Sequence, residues 1–202
     1  MTNGKFLSAV AKSEVMTVIG IVGLPGSGKS EAANVAAEMG VPVVTMGDVI
    51  RAECRDRGLD PASDHGTVAK ALREEDGPAA IAERSLPMIE DELEAEPLVL
   101  VDGIRSDVEV KAFREAFGES FLLVAIDAPF ELRAERLDLR GRDAGADDGG
   151  ESLADRDERE LGFGMGEAME MADLAIENTE TLAAFQRNIR TLLRGGPEAV
   201  ES

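Results

Sequence analysis

The chain of 202 residues carries 41 Asp plus Glu against 21 Lys plus Arg, a formal net charge of −20 at pH 7. Its length fits one domain and its 44% hydrophobic residues suffice for a sizeable core, which argues against disorder along the whole chain. The acidity disfavours a nucleic-acid partner, no apolar run reaches the roughly 18–20 residues that span a bilayer, and Cys54 alone supports neither an internal disulfide nor a multi-cysteine zinc site.

A cytoplasmic protein without membrane contact is therefore expected. Arg outnumbers Lys 16 to 5. With that excess of carboxylates the composition looks like that of a halophilic, salt-adapted organism, where screening offsets self-repulsion.

Residues 1–15 precede a second methionine, Met16, and are read as a flexible N-terminal extension. From Met16 to about residue 194, short apolar runs alternate with helical periodicity, the pattern of a parallel sheet wrapped by helices. Strands are expected at 17–22, 42–45, 97–101, 120–126 and 172–176. Helices are expected at 29–39, 47–57, 66–75, 78–94, 106–117, 129–140 and 155–169. Leu182, Phe185, Ile189 and Leu192 make 180–194 a final amphipathic helix. Residues 141–151 (GRDAGADDGGE) hold no branched apolar side chain and read as a mobile surface loop, and 195–202 read as a frayed tail. Cys54 and the methionines read as core filling.

Gly23-Leu24-Pro25-Gly26-Ser27-Gly28-Lys29-Ser30 matches G-x-x-x-x-G-K-[ST] between a strand and a helix. Its glycines let successive N–H groups face one concavity, and the helix N-terminus adds positive potential, so the segment binds a nucleoside triphosphate. In that setting Lys29 reaches the β and γ phosphates and the Ser30 hydroxyl ligates Mg²⁺. Leu98-Val99-Leu100-Val101 ends in Asp102, the carboxylate expected to hold the metal through its water shell.

Two further segments, Gly47-Asp48-Val49-Ile50-Arg51 and Asp102-Gly103-Ile104-Arg105-Ser106, follow the second and third strands. They put Arg51 and Arg105 at strand-to-helix junctions on the carboxyl edge of the sheet, where an Arg binds a phosphate in two-pronged fashion. Asp48 reads equally as a proton acceptor for an acceptor hydroxyl or as a helix cap.

The GD-x-x-R and DG-x-x-R segments resemble those of adenylate kinase and its nucleoside monophosphate kinase relatives. The resemblance implies a three-layer P-loop NTPase fold of the nucleoside monophosphate kinase type, with ATP and Mg²⁺ as cofactors. It further implies that Asp48, Arg51 and Arg105 bind a small nucleotide-like acceptor within a helical region at about 46–95. The segment Ala172-Asp173-Leu174-Ala175-Ile176-Glu177-Asn178 looks like the A-D-x-x-I-x-N stretch of dephospho-CoA kinase, which implies that Asn178 and Thr179 lie at the donor's adenine. Where that family carries paired aspartates, this chain has Thr45-Met46-Gly47-Asp48. Over Met16 to Leu193 the chain most resembles an uncharacterised archaeal dephospho-CoA kinase-like family. The expected acceptor is a nucleoside monophosphate or dephospho-CoA, and the expected assembly a monomer or homodimer.

Arg133, Arg136, Arg140, Arg142, Arg156 and Arg159 cluster around residues 136–160, a candidate lid that delivers positive charge and excludes water. Glu135-Arg136 to Gly141-Arg142 is similar to the lid segment of adenylate kinase, which implies that Arg136 and Arg140 act on the migrating phosphoryl group. The alternative is a solvated face in which these arginines pair with Glu131, Glu135, Asp138 or Asp143. His65 reads as a helix cap or loop residue rather than a catalytic base, and Phe163, the only aromatic near the lid, as a possible ligand contact. The competing function is a nucleotide-dependent regulatory ATPase with a macromolecular partner, since a P-loop reports donor binding alone.

Overall fold

The computed structural model describes residues 16–144 and 151–196, with only the backbone for 139–144. Strands β1 (Thr17–Val22), β2 (Val43–Thr45), β3 (Leu98–Asp102), β4 (Phe121–Asp127) and β5 (Leu174–Glu177) form one sheet in the order β2-β3-β1-β4-β5. Every pairing is parallel: Ile19 of β1 lies beside Leu100 of β3 on one side and Leu122 of β4 on the other. Buried on both faces, the central strands need near-continuous apolar runs, and Val-Ile-Gly-Ile-Val and Leu-Val-Leu-Val supply them.

Alternate side chains of the strands feed two cores. Val18, Val22, Val99, Val101 and Leu123 pack with α2 (Met46–Asp56), α3 (Pro61–Asp76), α4 (Ala80–Leu93) and α5 (Asp107–Phe117). Ile19, Ile21, Leu100, Val124 and Ile126 pack with α1 (Lys29–Glu38) and α9 (Leu182–Gly195), chiefly through Val35, Phe185, Ile189 and Leu192. The result is the three-layer α/β P-loop kinase-like fold expected from the sequence. Among the described residues no helix is long and apolar enough to cross a membrane.

Besides one- or two-residue shifts at other element ends, four features differ from expectation. Helix α3 starts at Pro61 rather than 66, because Asp60 accepts a hydrogen bond from the Ala62 N–H and proline suits a first turn. Residue His65 therefore lies inside a helix, not at its cap or in a loop. The single helix expected at 155–169 is two, α7 (Leu153–Gly162) and α8 (Met165–Glu170), broken where Gly164 takes φ 102°. Helix α6 (Phe130–Ala144) runs into the stretch read as a loop, and α9 takes in the first residue of the expected tail. The N-terminal extension, the rest of the loop at 145–150 and the tail from 197 lie outside the described residues.

Candidate active site at the carboxyl edge of the sheet

The central strand β1 runs directly into the phosphate-loop residues 23–28, and α1 begins at Lys29. Gly28, at φ 121°, could carry no side chain: a Cβ there would stand 2.5 Å from Asn178 Nδ2. The Lys29 ammonium donates to the carbonyls of Gly23 at 2.5 Å and Leu24 at 3.2 Å. Burial lowers its pKa below the usual lysine range, against the opposing pull of Asp102 and Glu160.

Asp102 ends β3 with its carboxyl pushed upward by burial, an effect countered by Lys29 and by the Gly103 N–H. Pro25, Gly26, Gly28, Lys29, Ser30 and Asp102 line a cavity of about 370 Å³, whose walls also include Arg51, His65, Arg73, Arg105 and Glu160. Gly23, Leu24 and Ser27 are not among its lining residues.

A hydroxyl and a carboxylate beside a lysine suit a hard cation that keeps several waters and takes phosphate oxygens as further ligands. Ser30 and Asp102, lining one cavity, are such a donor pair and fit Mg²⁺ in company with a bound polyphosphate.

Arg51 sits in the second turn of α2 rather than at the strand junction, and its guanidinium donates twice to Asp48, at 2.6 and 3.0 Å. Asp48 is neither the helix cap, which is Thr45, nor a cavity-lining residue; its carboxylate orients Arg51. Arg105, in the β3–α5 turn, faces the cavity and donates to Glu160 of α7 at 3.1 Å. The turn itself is fixed by Glu109, which is 1% exposed and accepts from the Arg105 N–H at 2.8 Å and from Arg73 at 3.2 Å. Ser106-x-x-Glu109 has the spacing of a capping box, and Ser106 does cap α5 by accepting from the Glu109 N–H, but the Glu109 carboxylate reaches one residue further back, to Arg105.

The expected lid arginines have divided roles. Arg133 is 4% exposed: it donates in a fork to Asp157 of α7, 2.7 Å on each arm, and also to the carbonyls of Ala128 and Pro25. Among the described residues, none of Glu131, Glu135 and Asp138 pairs with it; its carboxylate partner is 24 residues away, and the Asp143 side chain lies outside the described residues. Arg136 donates to the Asn178 carbonyl at 2.8 Å and to its side-chain oxygen at 3.2 Å. The Asn178 amide in turn donates to the Ser27 carbonyl at 2.8 Å, so Asn178 braces the phosphate loop from beneath. The side chains of Arg140 and Arg142 lie outside the described residues. Arg156 and Arg159 both pair with Glu151, and Arg159 lies 3.6 Å from Glu160.

His65, one turn before Ala69 on α3, has its pKa lowered first by burial and then by the charges of Arg105 and Arg51. It lines the cavity among guanidinium groups, whose charge disfavours its protonation. The residues missed in the sequence, Arg73, Glu109, Asp157 and Glu160, act through partners 24 to 55 positions distant.

A family model described as AAA domain matches residues 22–154. A UPF0200 protein of Halobacterium salinarum is 61% identical over 178 residues, 88% of this chain and 93% of that protein. A UPF0200 protein of Methanosarcina mazei is 47% identical over 188 residues, 92% of this chain and 98% of that one. Among solved structures, a gluconokinase from Sinorhizobium meliloti 1021 superposes with TM-score 0.55 at 20% identity, covering 93% of this chain and 97% of that one. A shikimate kinase from Acinetobacter baumannii in complex with shikimate gives 0.53 at 19% identity, covering 89% and 94%. At these identities the two structures establish the fold and not the acceptor. The phosphate loop in its strand-to-helix setting, the matching domain and the full-length relatives agree: the chain is an AAA-domain protein of the UPF0200 family.

Proposed function

We propose that the protein is an ATP-dependent phosphotransferase that moves the γ-phosphoryl group of MgATP to a small nucleotide-like acceptor, a nucleoside monophosphate or dephospho-CoA. The observation that carries this reading is one cavity lined both by Lys29, Ser30 and Asp102 and by Arg51 and Arg105. A pure ATPase has no acceptor anion for the two arginines to meet.

The triphosphate would lie along residues 23–30, drawing the Lys29 ammonium from the Gly23 and Leu24 carbonyls onto the β and γ oxygens. Ser30 and Asp102 would hold Mg²⁺, which neutralises charge on the phosphates when bound. Arg51 and Arg105 would exchange Asp48 and Glu160 for the acceptor phosphate and orient the attacking oxygen. That oxygen forms its bond to the γ phosphorus as the bond to the β-bridging oxygen breaks, leaving ADP; where it is a ribose hydroxyl, its proton passes to an oxygen of the transferred phosphoryl group and from there to water. Arg136, within 3.5 Å of the Gly26 carbonyl, and Arg140 are assigned to the charge on the migrating group. Asn178 serves the donor side by bracing the loop, and Thr179 the adenine, beside a cavity lined by Asn178, Thr179 and Phe185.

The test is a panel of nucleoside monophosphates and dephospho-CoA with MgATP across salt concentrations. ADP and a phosphorylated acceptor in equal amounts are expected from at least one member. Inorganic phosphate alone, at every salt concentration, refutes the reading and favours a regulatory ATPase.

A further inference from the structure

A second chamber of about 560 Å³ adjoins the first, sharing Ile50, His65, Arg73 and Arg105 with it. Its own walls come from α3, with Ala69 and Lys70, from Pro78, and from the end of α7, with Arg159 and Phe163. The shared residues make it a continuation of the site away from the phosphate loop.

Phe163 is its most informative wall. The chain has 7 Phe and no Trp or Tyr, yet leaves Phe163 48% exposed. Phe130 is exposed to a similar degree, 45%, but of the two only Phe163 stands on a cavity wall, where its ring is open to a ligand. The backbone is shaped to place it there: the positive φ of Gly164 breaks α7 from α8 directly after Phe163. The Arg73 guanidinium stands 5.9 Å from the ring centroid, and Glu109 holds that guanidinium from behind. Ile50, Ala69 and Pro78 add apolar surface, while His65, Lys70 and Glu74 offer hydrogen-bonding groups at the edge. A polyhydroxy acid has no flat apolar face to cover such walls, whereas a heteroaromatic ring has both a π-face and polar edges.

We infer that the second chamber binds the nucleobase of the acceptor, stacked on Phe163, while the acceptor phosphate reaches Arg51 and Arg105 in the first. This deepens the transferase reading and rests on it. Phe163 is thereby a specificity-determining residue that separates base-bearing acceptors from sugar phosphates and polyols.

Phe163→Trp gives the protein its only tryptophan, so its emission reads the chamber directly. Titrated in high salt, this variant is expected to show saturable quenching by at least one nucleoside monophosphate. Ribose 5-phosphate should act at no less than about tenfold higher concentration, the affinity one stacked base supplies. Quenching by ribose 5-phosphate at equal concentration, or by none of the nucleotides, overturns the inference. In Phe163→Leu, which keeps bulk, KM for the base-bearing acceptor should rise about tenfold. A lowered unfolding temperature with KM unmoved assigns Phe163 a structural role and overturns it. The unaltered protein separates the two levels: transfer only to acceptors without a base refutes the base chamber and spares the transferase. Quenching by nucleotides with no transfer to any acceptor does the reverse.

Discussion

Arg133 and Arg105 are the same residue type and each pairs with a carboxylate of α7, yet the molecule uses them in opposite ways. Arg133 is 4% exposed, with Asp157 and the Ala128 and Pro25 carbonyls taking four hydrogen bonds from it, so it ties α6, α7 and the phosphate loop together. Arg105 keeps a side chain 44% exposed on a cavity wall and makes one hydrogen bond there, to Glu160. A buried guanidinium that makes four hydrogen bonds to three partners is architecture; one held by a single exchangeable carboxylate is ready for a ligand anion. Counting arginines near a glycine-rich loop does not separate the two, whereas burial and partner number do.

The largest effect that sharpens this contrast is expected on stability. Arg133→Ala leaves Asp157 half of a buried pair and should cost about 3–5 kcal/mol in chemical denaturation, while Arg133→Met with Asp157→Leu should recover most of that loss. An Arg133→Ala protein as stable as wild type would erase the distinction. Next, Lys29→Met should lower phosphoryl transfer by roughly 10²–10³-fold, the scale of losing one preorganised charge-stabilising donor. Third, Arg51→Ala and Arg105→Ala should each raise the acceptor KM about tenfold to a hundredfold, the worth of hydrogen bonds to a charged group.

The smallest effect concerns pH. The folded-state pKa of His65 is lowered, so the unfolded chain binds its proton more readily. Its contribution to stability is complete above the unfolded value near 6.5 and is lost as pH falls through the lower folded value. The unfolding temperature should therefore decline over that window, and His65→Gln should flatten the decline. Asp102 and Glu109, whose folded values are raised by burial, have the opposite sign: their contribution is full below the ordinary carboxylate range and lost as pH rises through their folded values.

The phosphate loop was legible because its chemistry is contiguous: eight adjacent residues fix a turn, a helix start and a charge. The strands were legible within one or two residues because burial on both faces demands unbroken apolar runs. What escaped was non-local. The Arg133 partner lies 24 residues away and the Arg73 partner 36 away, and only packing brings them together. His65 lies inside α3 because Asp60 caps and Pro61 opens the helix, a start signal five residues before the apolar periodicity that places it at 66. The break after Phe163 was written in Gly162-Phe163-Gly164, but helical periodicity on either side outweighed it.

The most direct measurement is the ratio of acceptor-dependent ADP formation to acceptor-independent phosphate release, compared between wild type and Arg51→Glu or Arg105→Glu. If these two arginines hold the acceptor anion opposite the phosphate loop, the ratio should fall at least about tenfold in each variant. An unchanged ratio in both would contradict that placement and reduce the site to the binding of a nucleoside triphosphate.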